Sequence, residues 1–393
     1  MNKISAKIGY EYYAAMHRFS PVKDEDVEFA AKKTRVLRKP SDDRIESDIN
    51  TVQNFLFGKG LTFPCRRFIY ELPDVKSSAV ALENAHMVIS VYDDSKIMSA
   101  GIFFNVETDD PENIVYLRQI EMSDITFTMV DKEYSMKGLA SVFIEALEGN
   151  PSEIEEAFLL EVNQYNEEDD IDVVFDKYAL PLYGMMTGDE GYEYVGRKCA
   201  VERLSNYWST RNFARAVAFN NNFMLVNLNR GENAKSYMEH QAKYGEDFYG
   251  GGNPYFNVDA LTSGVCHGLF FTVETGMVAK TIGADVLSRQ VEKVHIKNVA
   301  SANDISKTKV LRKDLILTLK RLEQIDIAEL GALERMVMEG LDIIPLVEKL
   351  KYLLELLESE LNLLYDTNTN LIVNAIAIVG LFLAVLQIVL EFI

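Results

Sequence analysis

Several familiar resources are scarce in this chain. Three cysteines stand among 393 residues: Cys65, Cys199 and Cys266 are widely spaced and odd in number. That excludes a disulfide framework and leaves them as small buried apolar residues of a reducing compartment. Basic charge is also in deficit, with 40 Lys and Arg against 60 Asp and Glu and a formal net charge of −20. Phosphate recognition needs a concentrated basic surface, so no nucleic-acid partner is expected. The opening "MNKISAKIGYEYYAAMHRFS" has neither the apolar core nor the cleavage site of a signal peptide. No G-x-S-x-G, H-E-x-x-H or C-x-x-C occurs. His17, His86, His240, His267 and His295 form no pair at metal-ligand spacing, and the side chains of adjacent Cys266 and His267 diverge on a helix. No catalytic residue, metal ligand or cofactor is assigned, and the chain reads more readily as a non-enzyme.

What the chain does have lies at its end. From Leu371 to Val389 nearly every residue is apolar, interrupted by Asn374 and Gln387. About 20 such residues cross the roughly 30 Å of bilayer hydrocarbon. The expectation is a single C-terminal transmembrane helix over 371–393, a tail anchor in the inner membrane with the lipid bilayer as partner. After Lys351 no Lys or Arg follows, so no basic collar sets orientation. The large acidic part, lacking a signal, is expected to stay in the cytoplasm. Asn374 and Gln387 are the polar groups that would seek contacts inside a membrane bundle.

Ahead of that run, a helical stalk is expected over 301–370. Ile343, Leu346, Leu350, Leu353, Leu357, Leu361 and Leu364 recur at steps of three and four, a heptad-like, coiled-coil stripe. Pro345 marks a helix start or kink, and Gly340 a break just before it. Such a stripe wants neighbours, either other helices of this chain or copies of itself. A homo-oligomer is the expectation.

Residues 1–300 read as an α+β head with a mixed or antiparallel sheet, breaks near 150–190 or 245–256 being where it would divide in two. "MVISVYDD", "MSAGIFFNVE" and "NIVYLRQIEMSDITFTMV" are rich in β-branched and aromatic residues with polar turns between them, which predicts antiparallel strands. "KGLASVFIEALEGNPSEIEEAFLLEVNQY" predicts helix, interrupted at Asn150-Pro151. "EEDDID" at 167–172 reads as a solvated loop. "FARAVAFNNNFMLVNLN" predicts further strands, Gly250, Gly251 and Gly252 with Asn253-Pro254 a loop, and the stretch from Asp259 more helix. Lys32, Lys33, Arg35, Arg38 and Lys39 stand out in an acidic chain. They are the candidate contact for an anionic small ligand, although a solvated or domain-pairing face is the commoner use of such a cluster.

The stretch "DIAELGALERMVMEGLDIIPLVEKLKYLLELLESELNLLYDTNTNLIVNAIAIVG" resembles the CorA-like membrane proteins in layout, a leucine-rich stalk passing through a short Asn/Thr segment into a span. The family's Gly-Met-Asn signature and second span are absent, so magnesium transport does not carry over. The resemblance implies homo-oligomerisation, plausibly a pentamer. The expected function is then a head that senses a ligand or partner protein and controls a membrane helix bundle. That bundle would serve as an ion pathway or as a membrane-disrupting effector, as in antiviral defence. The alternatives are a tethered binding or scaffold protein that passes no ions, or an anchored enzyme.

Overall fold

The structure is a computed structural model that describes residues 3–17, 20–34, 37–38, 65–72, 75–78, 80–119, 125–129, 132–151, 153–228, 231–237, 239, 243, 273–285, 309–310, 312–313, 315–320 and 331–391. Two compact units emerge, one built from 1–282 with 324–344 and the other from 283–323 with 345–393.

The first unit is organised by strand alternation. In β1 (Ile4–Ala15) the even positions Ile4, Ile8, Tyr10 and Tyr12 point into an apolar core, whereas Ser5, Lys7, Gly9, Glu11 and Tyr13 take the opposite face. β1 runs antiparallel to β6 (Ile97–Thr108) along its whole length and to β9 (Glu155–Tyr165) on its other side. β5 (Leu82–Tyr92) turns into β6 through Asp93 to Lys96, and β3 (Arg66–Glu71) and β2 (Leu37–Arg38) complete that flank. On the far flank, β10 (Tyr207–Arg211), β11 (Ala214–Phe219) and β12 (Asn222–Asn227) form antiparallel pairs, and β12 lies parallel to β9. The nine-stranded order is β10-β11-β12-β9-β1-β6-β5-β3-β2. A separate three-stranded sheet joins β4 (Val75–Lys76), β7 (Thr126–Met129) and β8 (Lys132–Tyr134).

Helices cover the apolar face: α1 (Asp24–Thr34), α2 (Pro111–Gln119), α3 (Met136–Ala146), α4 (Ile171–Lys177), α5 (Ala179–Thr187) and α6 (Arg197–Arg203). Their starts follow capping chemistry. Ser135 Oγ accepts from Gly138 N at 3.0 Å, and Asp170 Oδ1 accepts from Asp172 N at 2.9 Å. The acidic run 167–172 thus supplies a helix cap. The Asn220-Asn221 pair turns β11 into β12 with positive φ at both residues, as the tightest hairpins require.

Two expected elements change identity. Asn113–Gln119, read as strand, is the body of α2: Pro111 starts the helix and Ile114, Val115 and Leu117 are buried. Glu155–Tyr165, read as helix, is the central strand β9, whose good helix formers are overruled by pairing on both edges.

The second unit holds the stalk stripe. α7 (Gly331–Gly340) belongs to the first unit and α8 (Ile343–Glu391) runs from the first into the second. α7 ends at Gly340, and Pro345 falls in the first turn of α8, where its missing N–H costs nothing. Ile343, Leu350, Leu353 and Leu357 are buried and Leu346 is half-buried; the side chains of Leu361 and Leu364 lie outside the described residues. Within the second unit the helical segment at 309–320 buries Leu315 and Leu319, and Arg312 bonds Glu358 at 2.7 Å. A Cβ on Gly283 would lie 2.8 Å from Leu346. The stripe is therefore covered, in large part, by its own chain.

The transmembrane part of the expected fold is corrected. Among the described residues no helix is long and apolar enough to cross a membrane. α8 is 49 residues long, and the described side chains of its far part are those of Val373 to Leu381 and Leu383. The expected tail anchor and inner-membrane location are corrected with it.

Candidate functional site

The face of the sheet turned away from the six helices is unusual in composition. Reading across the strands, Arg67 on β3 is opposite Ser90 on β5, Ser90 opposite Ser99 on β6, and Ser99 opposite Tyr13 on β1. One step along, Gly101 pairs with Glu11, and Glu11 with Ala157 of β9. Small residues let a helix lie close on this face. The helix at 273–285 does so, burying Val273, Met277, Val278, Ala279 and Thr281. α7 closes over it, since a Cβ on Gly276 would stand 2.5 Å from Leu341 and 3.4 Å from Val337. The approach of α7 to the sheet is as close, with Gly340 directly over Ala218.

Charge is trapped between helix and sheet. Glu274, 2% exposed, is ion-paired with Arg67 Nη2 through Oε2. Glu11, 1% exposed, accepts a hydrogen bond from the Tyr13 hydroxyl. Burial pushes the Glu11 carboxyl well above the usual range, and the Glu274 charge pushes it further; Tyr13 and Arg67 pull the other way without prevailing. Burial is the largest influence on Arg67 and opposes its charge, but Glu274 together with Cys65, Tyr92 and Glu11 outweighs it and leaves the guanidinium held more firmly protonated than usual. Tyr13 and Tyr92 are both kept neutral, first by burial and then by the neighbouring carboxylates. Among the described residues, Ser90 Oγ, Ser99 Oγ and Glu274 Oε1 are buried with no hydrogen-bond partner. At its other end the helix is fastened by Lys280, whose Nζ lies 2.8 Å from Asn221 Oδ1 and 3.6 Å from Glu155 Oε2.

A lesser polar cluster sits along the same face. Glu161, fully buried, has Lys7 Nζ at 3.6 Å and Asn227 Nδ2 at 3.5 Å. An open cavity of about 420 Å³ at the start of β1 is lined by Lys3, Glu107, Asp109 and Asn113 and shares no residue with the buried charges. Among the described residues no His, Cys, Asp and Glu group is placed to hold a metal ion.

The residues singled out from the sequence lie elsewhere. Lys32 is exposed in the last turn of α1, which also holds Lys33, and Arg38 is in β2. Arg35 and Lys39 lie outside the described residues, as do Gly250, Gly251, Gly252 and the Cys266-His267 pair. Asn374 is exposed on α8, and Gln387 lies in the same helix with its side chain outside the described residues. Sequence reasoning missed Glu11, Arg67 and Glu274. The available signal was an acidic residue at an inward-alternating position of an otherwise apolar strand.

Comparisons with family models, with curated proteins and with solved structures each return no match. The CorA-like likeness rests on layout alone.

Proposed function

We propose that this chain is a self-assembling protein whose copies gather through the far end of α8 and whose α+β head is the sensing part. The observation that carries this reading is the run Val373 to Leu381, with Leu383, in which every described residue is exposed. Successive helical residues are turned by about 100°, so this stretch is apolar around its whole circumference rather than along one stripe. Nothing charged occurs between Asp366 and Glu391, so the covering surface is itself neutral and apolar.

Another copy of the same helix meets that requirement and is present at equal concentration. Val373, Ile376, Ile378, Val379, Leu381 and Leu383 are each 55–69% exposed. Together they offer on the order of 600 Å² of apolar area per chain, near the ~800 Å² per partner of a stable interface. One neighbour covers only one side of such a helix, so three or more copies are expected. Asn374 then pairs across the bundle and fixes its register.

The test is the mass of the full chain by light scattering, beside full-length Ile376→Glu and Leu383→Glu variants. The expected result is a defined assembly of at least three copies that falls to the 44.5 kDa monomer in both variants. A monomeric wild-type chain, or variants that keep the assembly, would overturn the proposal.

A further inference from the structure

The charge count under the helix at 273–285 does not balance without a proton. Arg67 supplies one positive charge, and its partner Glu274 uses it. Among the described residues the cation that acts on Glu11 is this same Arg67, already paired with Glu274. Lys280 is engaged at the other end of the helix with Glu155 and Asn221. Among the described residues, the other titratable group against Glu11 is Tyr13 of its own strand, with Tyr92 of β5 next to Tyr13 and Cys65 next to Tyr92, none of which brings positive charge. An isolated carboxylate in such a place costs several kcal/mol, so the group binds a proton instead.

We infer that Glu11 is a proton-operated latch: protonated, it lets the helix at 273–285 lie closed on the sheet, and ionised, it drives the helix off by repelling Glu274. The latch has a direct route along the chain. The helix it holds leaves the first unit at Ile282 and enters the helical unit at Gly283.

The direction of the pH effect follows from proton counting. Glu11 binds its proton more tightly when the helix is closed than when it is open to water. Closing is therefore favoured at low pH. The advantage shrinks as pH rises above the ordinary glutamate range, until Glu11 ionises in the closed state as well. Within that window one proton changes the open-to-closed ratio by up to tenfold per pH unit.

Hydrogen exchange of residues 273–285 in the full chain, measured from pH 5 to 9 and corrected for intrinsic rates, tests this. In the wild type protection is expected to fall with pH by up to tenfold per unit. Glu11→Gln is expected to flatten that dependence and to protect the helix more than the wild type at pH 8. Tyr13→Phe removes the bond that favours ionised Glu11 in the closed state, so its fall in protection should continue to higher pH than in the wild type before levelling off; it also serves if Glu11→Gln does not fold. Equal slopes in all three proteins, or changes by one constant factor at every pH, would overturn the latch.

Discussion

The two faces of the nine-stranded sheet are made by the same strands and held by different physics. On one face, alternate residues such as Ile8, Tyr10, Tyr12, Phe104 and Phe158 share a core with Phe143 and Ile144 of α3, and charge enters at its margin, where Arg118 of α2 lies over the Phe158 ring. On the other, Gly9, Gly101, Ala157, Ser90 and Ser99 leave room for a helix and for two carboxyls, one of them ion-paired with a guanidinium. Hydrophobic burial is additive and indifferent to pH. A buried charge network is all-or-none: it holds when every member is compensated and fails when one is removed. The apolar face is thus the permanent side of the fold, and the polar face is the side that conditions can change.

The largest expected effects put the faces side by side. Phe143→Ala and Arg67→Met should each cost about 3–5 kcal/mol in urea unfolding at pH 7. They should differ in rescue: adding Glu274→Leu to Arg67→Met removes the stranded carboxylate and should recover most of the loss, whereas no single change on the sheet repairs the Phe143 cavity. Absence of rescue would make the two faces energetically alike. An intermediate effect of opposite sign is expected for Ser99→Ala. Its hydroxyl is buried without a partner, so removing it should stabilise the fold by about 1 kcal/mol in the same assay. A loss of similar size would show that the hydroxyl is satisfied in solution. The smallest effect belongs to the helical unit, where Arg312 and Glu358 are 42% and 45% exposed. Arg312→Ala should cost less than about 1 kcal/mol, shrinking with added salt. A larger loss that added salt leaves intact would mean that the pair is sheltered from water.

Legibility in the sequence followed the range of the forces involved. The β5–β6 hairpin was readable because "MVISVYDD" and "MSAGIFFNVE" alternate and the turn lies between them. The strands β11 and β12 were readable in "FARAVAFNNNFMLVNLN", and the structure places their turn at Asn220 and Asn221. β9 was not, because "EEAFLLEVNQY" is good helix material locally and becomes a strand only between β1 and β12. α2 was misread for the converse reason, its β-branched residues being a packing choice against α5 rather than a backbone preference. The buried site left one local trace, Glu11 in an otherwise apolar strand, and was not assembled from it, since Glu11, Arg67 and Glu274 are separated by 56 and 207 positions in the sequence.

By itself, then, the sequence determined the α+β class of the head, the apolar stripe of the long helix and the excess of acidic charge, all properties of local periodicity and composition. Only the tertiary structure decided that the stripe is spent largely within the chain, that β9 is central, and that two glutamates meet one arginine under a helix. Those outcomes depend on which distant segments exclude water from one another, and no local pattern encodes that.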